Sequence, residues 1–542
     1  MKKKYLFVAL LMAGLGLQSC SDFLDKYPGD VLTPDTFWKT EADAKLALVG
    51  CYRNWESEGV LYRDCGSDNA FSFHKHEGWQ IVGNGGMSSA DPGSGYYDYG
   101  TINRCNEFLE NIDAIPFADN KLKERFKAEV RFIRAYQFML LTLNYGDVPL
   151  SLKTYSTIEE ARLSRAPKIE VEKFILQEFK EVAGTLPEKY NSADIGRITK
   201  GAALAMRMRL NLYLGQFEDA LTDATAVKDL NVYQLFPTYD GVFHLANVNN
   251  SEVILDVQFK ENDKENWLIA ALFPNGDGGW SSIVPINALV NAYEMKDGST
   301  IQEATLSGKY DQKHPFLDRD PRLKMSILYP GQNWNGRIYD PLAKNIKQDD
   351  GKEVSNPDYF NGASNASKSG YAMKKYTAPN SQFVDPWNTS MNIIVTRYAE
   401  VLLTIAETKI ELGRIDNEVY TSLDVVRERA GMPKVDRTKY ATKEKLRELV
   451  RRERRVEFAF EGLRRADIIR WDIAKDVLNG RAEGSWTGVV DKNEPNEDKR
   501  ALLNGDPIFI EDRKFQSFNR YLPIGQDQLD LNKNLTQTPG YN

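Results

Sequence analysis

Arg451-Arg-Glu-Arg-Arg-Val-Glu-Phe-Ala-Phe-Glu-Gly-Leu-Arg-Arg-Ala-Asp-Ile-Ile-Arg-Trp471 is the stretch from which the fold is read. On a helix of period 3.6, Leu446, Leu449, Val450, Val456, Phe460 and Leu463 fall on one face, as in a helix packed on a core. Glu453 and Glu457 fall inside that same face. A carboxylate on an apolar stripe is costly unless it is paired. The spacing therefore predicts two structural ion pairs, with the neighbouring arginines as candidate partners. Two such carboxylates could also form an acid/base pair, but no other residue nearby supports that chemistry. Upstream, residues 397–471 read as two helical units joined by Gly431-Met432-Pro433.

The same pattern recurs. Residues 196–230 read as two helices broken at Leu214-Gly-Gln-Phe-Glu-Asp-Ala220, the Leu-Gly-x-aromatic-x-x-Ala element of a tetratricopeptide repeat. Residues 397–430 echo it more weakly, with the break at Leu412-Gly413. Each unit is near the repeat length of about 34 residues. Such helix pairs bury their faces only by stacking, so the chain is expected to form a helical platform from pieces far apart in sequence. Further helices are expected over 34–55, started by Thr33 as cap and Pro34 at the first helical position, and over 101–113, 121–144 and 168–184. Between 232 and 392 the helical signal fades. Glu252-Val-Ile-Leu-Asp-Val-Gln-Phe259 is strand-like, and Gly276-Asp-Gly-Gly279, Pro330-Gly331 and Asn361-Gly362 mark turns. Residues 480–515 read as a second loop region and 521–542 as an extended end. The expected fold class is mainly α: a tetratricopeptide-like repeat platform with long inserted loops and minor β-strands. Residues 31–542 form one domain, with an N-terminal helical half (31–235), a loop-rich insertion (236–392) and a C-terminal helical half (393–542).

Hydrophobic residues are 42% of the 542-residue chain, enough for a substantial core. Aromatics reach 11%, with 26 Tyr and 9 Trp, which makes a stacking surface worth seeking. The net charge of −7, with no basic tract, argues against nucleic acid as a partner.

The amino terminus points to a compartment. Met1-Lys-Lys-Lys4 is a basic start, and residues 5–17 are an apolar run shorter than the roughly 20 residues of a membrane span. Leu17-Gln-Ser-Cys20 follows and resembles the bacterial lipobox, in which cleavage precedes a Cys that is then lipidated. Residues 1–19 thus read as a signal peptide, Cys20 as the lipid attachment site and 20–30 as the tether. Each buried CH₂ contributes about 0.8 kcal/mol, so several acyl chains anchor a protein firmly. Three cysteines remain, Cys51, Cys65 and Cys105, too few for a disulfide framework. At most one bridge among them is possible, and small buried thiols are expected instead.

Phe460-Glu-Gly-Leu-Arg-Arg-Ala-Asp-Ile-Ile-Arg-Trp471 is similar to the signature helix of the SusD/RagB family. Tyr293-Glu-Met-Lys-Asp-Gly-Ser299 with Arg319-Asp-Pro-Arg-Leu323, Arg397-Tyr-Ala-Glu-Val-Leu-Leu403 with Ala406-Glu407, and Tyr521-Leu-Pro-Ile524 through Gln537-Thr-Pro-Gly-Tyr541 resemble its later segments. Arg104-Cys-Asn106 and Asn144-Tyr-Gly-Asp-Val-Pro149 resemble its amino-terminal half. The ordered set, lipobox included, spans nearly the whole chain. The resemblance implies a lipid-anchored, surface-exposed outer-membrane protein that captures oligosaccharide or polysaccharide. It further implies hand-over to a SusC-like TonB-dependent transporter, without enzyme activity or cofactor. A peptide or other non-glycan nutrient on the same fold is the alternative, and a glycan hydrolase or a purely structural scaffold would be a different class altogether.

A pyranose ring offers an apolar C–H face and a rim of hydroxyls, so its binding needs flat aromatic surface beside hydrogen-bonding groups. Trp79 lies in residues 66–100, a Gly-, Ser- and Asp-rich segment read as a ligand loop. Trp280 follows Gly276-Asp-Gly-Gly279, and Trp334 lies in Gly331-Gln-Asn-Trp-Asn-Gly-Arg337. The resemblance implies loop tryptophans at about these positions. Trp79, Trp280 and Trp334 are the expected platform, and Asp68, Asn69, Tyr96 and Arg337 the expected polar rim. Trp38, Trp55 and Trp471 read as core, and Trp267 and Trp387 stay undecided. Enzyme signals are weak: His74-Lys75-His76 lacks the further ligands of a zinc site, so no metal is expected. There is no Gly-x-Ser-x-Gly elbow. Among 77 carboxylates no glycosidase pair stands out, so no catalytic residue is nominated.

Overall fold

A capping box starts the helical stack. The Thr40 hydroxyl accepts the Asp43 backbone N–H, and the Asp43 carboxylate accepts the Thr40 N–H at 2.8 Å. Helix α1 (Glu41–Tyr52) runs from that cap. The computed structural model describes residues 37–94, 96–347 and 350–541. The start expected at Thr33-Pro34 lies outside the described residues, as do Cys20, the signal peptide and the tether. Within them Phe37 is helical, the helical run is interrupted at residues 38–40, and the reciprocal bonds of Thr40 and Asp43 satisfy two terminal donors at once where it resumes.

Helices α2 (Gly100–Asn111), α3 (Asn120–Tyr145), α4 (Lys168–Ala183), α5 (Lys200–Tyr213) and α6 (Phe217–Asp229) follow, each packed on the one before. The turn between α5 and α6 falls where the repeat element places it, with Gly215 at φ 71°, a left-handed conformation that glycine adopts without penalty. The stack then skips the insertion. Helix α7 (Tyr398–Glu411) packs on α6, and α8 (Asn417–Arg429) and α9 (Lys443–Glu457) pack on α7. A short α10 (Arg464–Arg470) follows. A buried pair, Arg209–Glu400, and a half-exposed one, Lys228–Glu418 at 2.6 Å, fasten the jump. The molecule is mainly α, a repeat-like platform assembled from distant segments.

The insertion is closed at its ends by two strands. β1 (Val253–Val257) pairs antiparallel with β2 (Ile393–Arg397), Ile393 opposite Val257, and β2 runs directly into α7. Residues 480–515 are not the loop that the sequence suggests. β3 (Asn479–Trp486) pairs antiparallel with β4 (Pro507–Lys514), Asn479 opposite Lys514. The usual alternation is disguised there, because the inward positions of β4 include the ion-paired Glu511 and Arg513 while Phe509 points outward.

Glu453 and Glu457 are ion-paired, as their place in an apolar stripe requires, but not to the neighbouring arginines. Glu453 meets Arg322 at 2.5 Å and Arg427 at 2.9 Å. Glu457 meets Arg397 at 2.8 Å, Arg322 at 2.9 Å and also Arg429. Arg397 in turn holds Glu252 and Glu461, and Lys375 reaches Glu461 at 2.6 Å. This buried network ties the insertion to α8 and α9. Burial opposes the charge on Glu457, yet Arg429, Arg397 and Arg322 outweigh it and hold the carboxyl far below its ordinary range. Cys51, Cys65 and Cys105 are buried free thiols.

Candidate functional site

The insertion presents a cluster of three indoles at the surface. Trp267 precedes the fully buried short helix Leu268–Leu272. The chain then turns back on itself, with Trp280 N–H donating to Ala271 C=O at 3.1 Å and Ser281 N–H to Phe273 C=O at 3.1 Å. A Cβ on Gly279 would lie 2.2 Å from the Phe273 carbonyl oxygen, so only glycine permits this approach. The turn sets the Trp280 ring 6.1 Å from that of Trp267, at 51°. Trp387 comes from the far end of the insertion and stands 4.9 Å from Trp280, at 54°. Paired amides lock its loop in place: Asn262 N–H donates to Asn388 Oδ1 at 2.8 Å, and Asn388 Nδ2 donates to Asn262 Oδ1 at 2.9 Å. Trp267 and Trp387 are 38% and 37% exposed, unusual for residues that normally bury most of their area, and Trp280 lies half-buried between them.

The cluster continues onto the amino-terminal half. His74 Nε2 lies 3.0 Å from the Trp280 carbonyl oxygen and pins the turn. Phe73 beside it is 39% exposed and carries Lys368 Nζ 5.0 Å from its ring centre. Partial burial pulls the Lys368 ammonium below its ordinary pKa. Aromatic faces, an amine and two imidazoles, His74 and His76, thus share one stretch of surface. No group of three or more His, Cys, Asp or Glu side chains among the described residues is placed to hold a metal.

Of the three tryptophans nominated from sequence, only Trp280 lies in this cluster. Trp334 is buried: its indole N–H donates to Asp277 Oδ2 at 2.8 Å and its ring packs edge-on against Phe273. Arg337 is clamped between Asp277 and Asp358, both at 2.8 Å, so its charge is spent within the loop. Asp277 belongs to the same turn as Trp280, so Trp334 and Arg337 brace that turn from behind. Trp334 also lines a separate cleft of about 700 Å³ with Phe243, His244, Tyr376 and Lys374.

Trp79 heads a short helix, Trp79–Asn84, and is buried against Tyr96. Tyr96 is half-buried, and its hydroxyl accepts from Arg63. Asp68 and Asn69 are buried as well. Asp68 pairs with Arg464 at 2.7 Å and Arg455 at 2.9 Å, and Asn69 Oδ1 accepts from Arg455 Nε. Burial works against the Asp68 charge, but Arg455 and Arg464 prevail and bring its carboxyl down to about 2. These residues join the 66–100 segment to α9 and α10. Burial removes Trp79, Trp334, Asp68 and Asn69 from the surface that the sequence assigns to them. Phe73, Trp267 and Trp387 take their place. The one sequence signal for Trp387 is its turn setting, Asp385-Pro-Trp-Asn388.

Residues 251–541 match the model of the SusD family, and residues 22–212 match a second model described as starch-binding and associating with the outer membrane. The chain belongs to the SusD family. Among SusD-like relatives, protein P25 of Formosa agariphila is 25% identical over 512 residues, 86% of this chain and 90% of its own. A SusD-like carbohydrate-binding protein of Bacteroides fragilis is 28% identical and superposes with a TM-score of 0.79 over 92% of this chain and 100% of its own. A laminarin-binding SusD-like protein shares the fold at 23% identity, with a TM-score of 0.69 over 93% of this chain and all of its own.

Proposed function

We propose that this SusD-family chain is a non-enzymatic, lipid-anchored outer-membrane protein that binds oligosaccharide or polysaccharide and delivers it to a TonB-dependent transporter. The observation that carries the reading is the Trp267–Trp280–Trp387 cluster: Trp280 stands 6.1 Å from Trp267 and 4.9 Å from Trp387 between ring centres, held by built turns and partly open to solvent. Indole faces cover the C–H faces of sugar rings, and such preformed aromatic anchors lose little entropy on binding. The rings are tilted by 51° and 54° to one another rather than coplanar, which suits a glycan that turns from one unit to the next. The hydroxyl rim would meet His74, His76 and Lys368. The carbohydrate-binding description of the Bacteroides fragilis relative and the laminarin-binding description of the other structure support the ligand class. The lipobox-like Leu17-Gln-Ser-Cys20 supports the anchor, and the second family model's description supports the membrane. Delivery to a transporter rests on the family resemblance.

The test is affinity electrophoresis and calorimetry of the chain from Ser21 onward, against a panel of neutral and acidic polysaccharides with a peptide library run in parallel. Saturable binding to one glycan class, with no soluble product released, is expected. Peptide binding without any glycan binding would replace this reading with capture of a peptide nutrient. Release of sugar products would make the protein an enzyme.

A further inference from the structure

A second cleft, sharing no residue with the tryptophan cluster, lies where the signature helix faces the segment after the Trp280 turn. Its volume is about 260 Å³, and four guanidinium groups line it: Arg451, Arg452 and Arg455 of α9, and Arg464 at the start of α10. Trp471 forms a wall, and Asn291 stands exposed at the rim.

The charges around this cleft do not cancel. Arg455 and Arg464 share a single carboxylate, Asp68. Arg452 shares Glu294 with Arg427, a residue outside the cleft. Arg451 makes no hydrogen bond or ion pair among the described residues, because the carboxylates near enough to act on it, Glu407 and Glu411, are bound by Arg454 and Arg470 and by Arg447. Its guanidinium lies 4.9 Å from the centre of the Trp471 ring, and its Nε is buried without an acceptor. A buried donor without an acceptor is destabilising, the more so when charged, and of the four arginines of the cleft only Arg451 carries one. No carboxylate lines the cleft that could accept from Arg451.

We infer that the Arg451–Arg452–Arg455–Arg464 cleft binds a small oxyanion, a sulfate, phosphate or carboxylate group, with Arg451 as its main ligand. Guanidinium forks match such groups in geometry as well as charge. The unengaged Nη1 atoms of Arg455 and Arg464, and the Asn291 amide, supply further donors around a group of that size. The group could be a free inorganic anion or the acidic substituent of a sugar, and the inference stands whether or not the tryptophan cluster binds glycan.

The experiment is calorimetric titration of the full chain with sodium sulfate, glucuronate and glucose, with sodium chloride at matched ionic strength as the reference. Saturable binding of sulfate or glucuronate is expected, weakened at least about tenfold in Arg451→Gln, as loss of a charge-assisted hydrogen bond requires. Glucose should not compete. Sulfate bound without glucuronate identifies a free anion as the ligand, and glucuronate preferred over sulfate identifies an acidic sugar. An effect that sodium chloride reproduces is screening alone and overturns the inference, as does an unchanged isotherm in Arg451→Gln. Should that variant fail to fold, crystals of the unaltered chain soaked in selenate decide the matter by anomalous scattering. A peak within hydrogen-bond distance of Arg451 is expected, and a cleft without one refutes the site.

Discussion

Arg397 and Glu457, 60 residues apart in the chain, meet at 2.8 Å in the interior. Both are essentially without solvent contact, and Arg322 and Arg429 reach the same carboxylate. Three arginines converge on one acid where the insertion joins the helical platform. Glu457→Gln removes the charge while keeping the shape, and leaves those guanidiniums short of a counter-ion. Breaking a buried pair in this way costs about 3–5 kcal/mol. Chemical denaturation should show a loss of that order. A loss below about 1 kcal/mol would mean that Glu252, Glu453 and Glu461 redistribute to cover the arginines, and that the convergence is not what holds the insertion in place.

Stability should peak in mild acid. Burial raises the carboxyls of Asp64 and Asp256 to about 6. Groups raised in the folded state contribute stability that is fully present below their unfolded values near 4 and is lost as pH rises through about 6. Asp68, Glu453, Glu457 and Glu461 go the other way: burial opposes their charge, but arginine partners hold them low. Their contribution is present above about pH 4 and is lost as pH falls through the folded values. The midpoint of thermal unfolding should therefore rise from pH 7 toward pH 5 and collapse below pH 4. Asp256→Asn removes the titrating group, although its single amide oxygen can accept from only one of Asn392 and Gln258, so it should lower stability at every pH while removing a rise on the order of 2–3 kcal/mol between pH 7 and 4. A midpoint that falls steadily from pH 7, or an unchanged profile in Asp256→Asn, would contradict this assignment.

The helical platform was legible because period and punctuation suffice for it: Leu214-Gly-Gln216 and Leu412-Gly413 break the helices where the structure turns. What covers each face was not legible. The stripe of α9 shows that Glu453 and Glu457 need partners, but their partners arrive from residues 322, 397, 427 and 429, a matter of topology rather than spacing. Glycine misled in the 66–100 segment. A Cβ on Gly83 would lie 2.5 Å from the Cys65 carbonyl oxygen, and one on Gly85 would lie 2.1 Å from that of Lys514. Those glycines mark close packing of the segment against the chain at Cys65 and the end of β4, and not an open loop. Trp267 and Trp387 carry no local signal of their proximity. The β1–β2 pairing and the Asn262–Asn388 amides bring the two ends of the insertion together, and only then does an aromatic cluster exist.

The two roles of the loop tryptophans can be separated by substitution. Trp280 and Trp387 are partly exposed and their rings stand 4.9 Å apart, whereas Trp334 is buried with its N–H bound to Asp277. Trp280→Ala and Trp387→Ala should each weaken glycan binding at least about tenfold, as loss of an aromatic hot spot does, with little movement of the thermal midpoint. Trp334→Ala should behave in the opposite sense. It empties a packed position and leaves Asp277 and Arg337 without their brace, so stability should fall by about 3–5 kcal/mol. Any loss of affinity there should follow from disorder of the Trp280 turn, and should be recovered under conditions that restore the fold. Calorimetry with the best glycan from the panel, beside thermal unfolding of the same samples, separates the two outcomes. If Trp334→Ala abolishes binding at unchanged stability while Trp280→Ala binds normally, the ligand belongs in the 700 Å³ cleft beside Phe243 and Tyr376, and the exposed indoles serve another purpose.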